Sequence, residues 1–184
     1  MSYEIEKAYA LVRTQLRLSD VPEDPGHAEN TLEWLLHLHP EADDALRLAA
    51  LAHDIERSRP DRLRRQDFDD YDEFKAMHAA MGARMAAGIF REAGIDQEVK
   101  EEACRLIRLH ESGGDERSDL LKDADSISFF DHNLQAYFHR EGVTEALRRA
   151  RWGFGRLSSR GRHYVAQIHY EHPELRWIQR QLLT

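Results

Sequence analysis

Cysteine is the scarcest resource in this chain: Cys104 stands alone among 184 residues. One thiol excludes an internal disulfide framework and a thiolate-based zinc site, and it fits a reducing compartment. No apolar run approaches the roughly 20 residues that a membrane span requires. The first residues lack the basic and apolar regions of a secretory signal, so a cytoplasmic protein without a membrane partner is expected. No stretch of strand length alternates apolar and polar side chains, and no internal repeat, linker or low-complexity tract is present. Positive charge is also short. The 26 Lys and Arg against 34 Asp and Glu leave a net charge of −8, which excludes broad nucleic-acid binding, because that requires a positive surface to displace counterions.

What is present is a soluble composition, 41% hydrophobic and 33% charged, at a length that suits one domain with a sizeable core. Apolar residues recur at helical spacing, and an all-α bundle over residues 1–184 is expected. The first helix runs from about Tyr3 to Leu18, and Pro22, Pro25 and Gly26 break the chain after it. The second begins near His27 and stops at Pro40. The acids Glu41, Asp43 and Asp44 open a third helix at the positive end of its dipole, and its face of Ala45, Leu48, Ala49, Leu51 and Ala52 ends in His53-Asp54. Residues 57–70 read as a charged surface loop with a short turn.

A long helix then runs from Tyr71 to about Ala93 and is closed by Gly94. Phe74, Met77, Met81, Met85, Ile89 and Phe90 form its core stripe, with His78 beside it. Asp96 caps a helix that ends at His110. A further helix through Leu120, Ile127 and Leu134 holds Asp123 and Asp125. After a break at Gly142, a helix from Val143 to Ala150 is expected, then Trp152-Gly153-Phe154-Gly155, a helix through Tyr164 and His169, and a last one opened by Pro173.

Eleven histidines are many for this length, and several take comparable places. His27 lies at a helix start, His53-Asp54 and His110 at helix ends, His78 on a core-facing helix, and Asp125 among apolar residues. An ionised aspartate there is costly unless paired or bound to metal. Imidazoles and carboxylates from several helices are the usual way a bundle interior holds metal. Singly, each has an ordinary reading as a cap, a satisfied core histidine or an arginine partner.

In this order, the motifs Gly26-His27, Leu51-Ala52-His53-Asp54-Ile55, His78-Ala79-Ala80-Met81-Gly82, Leu109-His110-Glu111 and Asp123-Ala124-Asp125 resemble the HD-domain superfamily of metal-dependent phosphohydrolases. The resemblance spans roughly residues 27–131, with the C-terminal helices at 142–184 expected to pack on that core. It implies His27, His53, Asp54 and Asp125 as metal ligands, with Asp54 bridging when two ions are present. His78 and His110 then complete a second site or face the substrate phosphate, and Asp123 becomes an outer or capping group. The chain also resembles a poorly characterised bacterial branch of that superfamily in which several metal positions are replaced. Here they are intact.

The activity implied is hydrolysis of a small phosphate ester or anhydride, a nucleotide or dinucleotide by superfamily analogy. A metal site lowers the pKa of water from about 15.7 to about 7 and neutralises charge on phosphoryl oxygens. One or two divalent ions are expected, from Fe, Mn, Co, Zn or Mg, while mixed nitrogen and oxygen ligation argues against calcium. Asp54 and Glu56 are the catalytic candidates, Glu56 as a group that orients the attacking water. Arg57, Arg59 and Lys122 are the phosphate-binding candidates, with solvated surface charges as the alternative.

Between Arg148 and His163 stand six arginines and no acid, for which a solvated or acid-paired face is expected and a local anion site stays open. The methionines read as core and Cys104 as buried and inert. A homodimer is compatible with this reading. The same ligand order also serves di-iron oxygenases, and a regulatory module that binds metal or ligand without turnover is the third alternative.

Overall fold

The computed structural model describes residues 2–184 and is all-α, with no strand among those residues. Helix α1 (Tyr3–Leu16) is followed by α2 (Asp24–Leu38), which starts three residues before His27 with Pro25 in its first turn, a position where the missing N–H costs nothing. The Asp43 carboxylate accepts the Leu46 N–H at 3.0 Å and opens α3 (Asp44–Ala52). Leu48 to Ala52 are all fully buried. A helix that is apolar all round belongs in the middle of a bundle, and α1, α2, α5 (Gln97–Leu109) and α6 (Glu116–Ser128) surround α3. None of the helices is long and apolar enough to cross a membrane.

Helix α4 (Tyr71–Ala93) has the expected limits, and Gly94 closes it with φ 86°, a conformation that glycine adopts without a Cβ clash. Its buried face differs from the expected one. His78, Ala79, Gly82, Ala83, Ala86 and Phe90 point inward, whereas Met77 is 44% exposed and Met81 and Met85 are only half-buried. The small residues let the helix backbone come close. A Cβ on Gly82 would stand 3.3 Å from the His53 carbonyl oxygen. The stripe of large side chains loses to the stripe that permits approach to α3. Cys104 is buried, its thiol facing the Ala83 carbonyl at 3.5 Å, and burial pushes its pKa up.

The chain from α6 onward is more continuous than its glycines suggest. A π-helical turn at Phe129–Asn133 joins α6 to α7 (Leu134–Arg156), and the Tyr170 hydroxyl donates to the Phe130 carbonyl at 2.7 Å. The break at Gly142 is a kink (φ 82°) inside α7. Helix α7 does not end before Trp152-Gly153: it continues to Arg156, because Gly153 is buried against the Phe130 ring and packing outweighs the roughly 1 kcal/mol helix penalty of each glycine. Helix α8 (Ser159–Gln167) packs on α6, and α9 (Pro173–Leu182) on α7. Asp123 accepts from the Ser158 N–H at 2.9 Å and from its hydroxyl, which anchors the start of α8.

Candidate metal centre

Five helical segments bring six side chains to one point. His27 comes from the first turn of α2, His53 and Asp54 from the end of α3, His78 from α4, His110 from the end of α5 and Asp125 from α6. All six are buried. His27, His53 and Asp125 form one group able to hold a metal ion, and Asp54, His78 and His110 a second, with the ligand atoms of each group within 4.8 Å of one another.

The four imidazoles share one arrangement. Each turns Nε2 inward and engages Nδ1 outward. His53 Nδ1 lies 2.8 Å from the Ala50 carbonyl and His110 Nδ1 2.7 Å from the Ile107 carbonyl, so both rings carry the proton on Nδ1 as donors. His27 Nδ1 lies 2.8 Å from Ser128 Oγ, whose own proton goes to the His27 carbonyl at 3.2 Å, so this ring donates as well. His78 Nδ1 donates to Glu56 Oε2 at 2.8 Å. Outer partners of this kind set the tautomer and aim of metal-ligating histidines.

Asp54 stands between the two groups. Its Oδ2 is 3.7 Å from His53 Nε2 and 3.9 Å from His27 Nε2, and its Oδ1 is 2.9 Å from His78 Nε2 and 3.8 Å from His110 Nε2. Asp125 Oδ1 lies 3.1 Å from His27 Nε2 and 3.6 Å from His53 Nε2. The Nε2 atoms of His27 and His53 are themselves 3.3 Å apart. Inward nitrogens this close, facing carboxylate oxygens in a buried pocket, could hold a cation between them, and the mixed nitrogen and oxygen donor set fits a first-row divalent ion.

The titration directions say the same of protons. Burial disfavours a charge on His53, yet the carboxylates of Asp54 and Asp125 outweigh it and push the ring up to about 9. Burial likewise opposes charge on His78, but its hydrogen bonds to Asp54 and Glu56 bring it to about 9. Burial lowers His110. Burial would raise Asp54 and Asp125, but Arg57 and His53 beside the first, and the hydrogen bonds from His27 and His53 with the charge of Arg156 beside the second, hold both well below the usual carboxylate range.

Glu56 is not free to orient water. It is buried, Oε2 is taken by His78, and Oε1 accepts the Leu63 N–H at 2.8 Å. It sets the aim of His78 and ties the following loop to it. Glu56→Ala is therefore expected to weaken metal affinity about 10- to 100-fold, read by competition against a chelating dye, with Glu56→Gln losing less because it keeps the Leu63 contact.

A cleft of about 520 Å³ opens onto four of the six residues, His27, Asp54, His78 and Asp125. Of the three cations expected to bind phosphate, only Arg57 lines it. Arg57 Nη1 donates to Asp54 Oδ2 at 2.8 Å, and its Nε lies 3.3 Å from the buried Asp24. Arg59 forks onto Asp61 at 2.6 and 2.9 Å, and Lys122 pairs with Asp119 at 2.7 Å, both away from the cleft. The arginines of the C-terminal half reach it instead. Arg148, Arg149 and Arg156 line the cleft with Trp152, opposite Tyr71 and Phe74. Arg156 Nη2 lies 3.4 Å from Asp125 Oδ2 and 3.2 Å from Glu111 Oε2.

A solvated or acid-paired face is the sequence expectation for these arginines; Arg148 and Arg156 are acid-paired, and they line the cleft as well. The spacing Arg149, Trp152, Arg156 puts all three on one helix face, and that signal becomes visible once α7 continues to Arg156.

A sequence model of a family described as a domain of unknown function, DUF4202, matches residues 6–177. Neither a curated protein nor a solved structure matches the chain.

Proposed function

The chain belongs to the DUF4202 family, and from that premise we propose that it is a metal-dependent phosphohydrolase of the HD type, acting on a small phosphate ester or anhydride. One observation carries the reading: six residues from five helical segments converge with every inward imidazole nitrogen aimed by an outer partner, and Asp54 turns one oxygen to each half of the set. A structural salt-bridge network does not need four histidines oriented alike.

His27, His53 and Asp125 would hold one divalent ion, His78 and His110 a second, and Asp54 would serve both. Such ions, when bound, lower the pKa of water and neutralise charge that develops on phosphoryl oxygens. The side chains do the rest. Arg156, fixed on Asp125 and Glu111, presents its guanidinium to phosphoryl oxygens at the wall of the cleft. Arg57 holds the Asp54 carboxylate in place by donating to its Oδ2 at 2.8 Å. Glu111 lines the cleft, and its Oε2, 3.2 Å from Arg156 Nη2, keeps that guanidinium in place. Cleavage then exchanges the phosphorus bond to the leaving oxygen for one to the water oxygen, and the leaving oxygen ends protonated.

The test is direct. Full-length protein supplied with manganese, cobalt or iron is expected to release phosphate from at least one member of a panel of phosphomonoesters, diphosphates and nucleotides, and to carry stoichiometric metal by elemental analysis. Stoichiometric metal with no release from any of them would overturn the hydrolase reading.

A further inference from the structure

Seven arginines line the cleft, and their partners separate them. Arg57 pairs with Asp54 and Asp24, Arg62 with Asp20, Arg140 with Glu23 and Glu141, Arg148 with Glu145, and Arg156 with Glu111 and Asp125. Arg149 has no carboxylate partner among the described residues, and its Nη1 is buried without a hydrogen bond. Arg65 has no carboxylate partner among them either, but it is exposed to water and donates to the Phe68 carbonyl. A guanidinium left as that of Arg149 is costly unless something anionic completes it.

Arg149 is also held still. Its guanidinium lies 4.3 Å from the centre of the Trp152 ring and 4.7 Å from that of Phe129. Arg156 lies 4.8 Å from the same Trp152 ring, so one indole positions two guanidiniums, Arg156, which contacts Asp125, and Arg149, which has no carboxylate partner.

The aromatic rings argue against a stacked base. Trp152 is covered by Arg149, Arg156 and Lys75, Tyr71 by Arg65 and Lys75, and Tyr137 by Arg140. Phe74 stacks on His78. Aromatic faces that are already occupied by cations serve to place positive charge. The cleft beyond the metal centre is therefore furnished for an anion, and a fixed, unpaired arginine suits the planar fork of a phosphate.

We infer that Arg149 is a second anion site, so that the substrate is a phosphate compound carrying a further phosphate group beyond the one at the metal centre, either in an anhydride chain or on a separate hydroxyl. This inference rests on the phosphohydrolase reading for its first phosphate and on Arg149 alone for its second.

Calorimetric titration of full-length protein with inorganic triphosphate and with inorganic phosphate tests it. Triphosphate is expected to bind at least about tenfold more tightly than phosphate, and Arg149→Met, which keeps an apolar stem against Trp152, to lose at least about tenfold in triphosphate affinity and most of that preference. Arg149→Lys keeps the charge without the fork and is expected to fall between them, which also serves if the methionine variant folds poorly by circular dichroism. Equal triphosphate affinity in wild type and Arg149→Lys and Arg149→Met, or no preference in wild type, overturns the inference.

Repeating the titration on protein stripped of metal and dialysed separates the two readings. An Arg149-dependent loss of triphosphate binding that persists there, when the metal-loaded protein releases phosphate from no member of the panel, keeps the anion site and removes the hydrolase. Hydrolysis of monophosphates with no Arg149 effect on triphosphate binding does the reverse.

Discussion

Replacing Asp54 by alanine is expected to lower phosphate release at least about 1,000-fold, because a metal site supplies several kcal/mol of charge stabilisation and Asp54 is the one side chain that faces both ligand groups. Bound metal, measured by elemental analysis, is expected to fall with it. Asp54→Asn keeps the shape, loses the charge, and should fail in the same way. The fold also feels the change. Without Asp54, Arg57 and His78 lose their contacts at 2.8 and 2.9 Å, and opening a buried ion pair costs about 3–5 kcal/mol. The lower end is expected, since Arg57 keeps Asp24 and His78 keeps Glu56. Phosphate release within tenfold of wild type in a variant with undiminished metal would show that Asp54 is a structural aspartate only.

Protein stripped of metal is expected to lose stability as the pH rises from about 6.5 to about 9. The sign follows from linkage. His53 and His78 are raised from 6.5 in the unfolded chain to about 9 in the fold, so the stability they contribute is fully present below 6.5 and is lost as the pH passes through 9. A rise of this size corresponds to about 3 kcal/mol per group as an upper figure. Asp54 and Asp125 act at the other end: their pKa values are depressed, so their contribution is present above the ordinary carboxylate pKa of 3.8 and is lost as the pH falls below it.

Metal reverses the first trend. Ligating histidines must shed the same protons, so metal affinity should rise across the window in which the stripped protein weakens. The rise in melting temperature on adding manganese should then be larger at pH 8.5 than at pH 6.5. Equal metal-induced shifts at both values would mean that the ion binds elsewhere.

Much of the site was legible because each of its parts has a local signature. The all-α class followed from spacing alone. Asp43, Asp96 and Gly94 mark helix limits by side-chain chemistry that acts within a few residues. His27, His53, Asp54, His78, His110 and Asp125 were selected by their order and by their positions at helix ends or on buried faces, and the structure gathers all six. Three features were hidden for a common reason. The inward face of α4 belongs to its small residues rather than its methionines, Glu56 has both oxygens engaged rather than facing water, and α7 runs through two glycines. Each was decided by a neighbour far away in sequence: the His53 carbonyl against Gly82, His78 across from Glu56, and the Phe130 ring against Gly153.

Sequence by itself determined that this is a helical bundle, since capping and periodicity are local properties, and the resemblance of its motifs singled out a histidine and aspartate set at helix ends and on buried helix faces. Only the tertiary structure decided which oxygen of Asp54 serves which group, that Arg59 and Lys122 point away, and that Arg149 and Arg156 face the cleft. Those outcomes depend on how the helices pack, α7 on α6 among them, and long side chains take whichever partner that packing brings within reach.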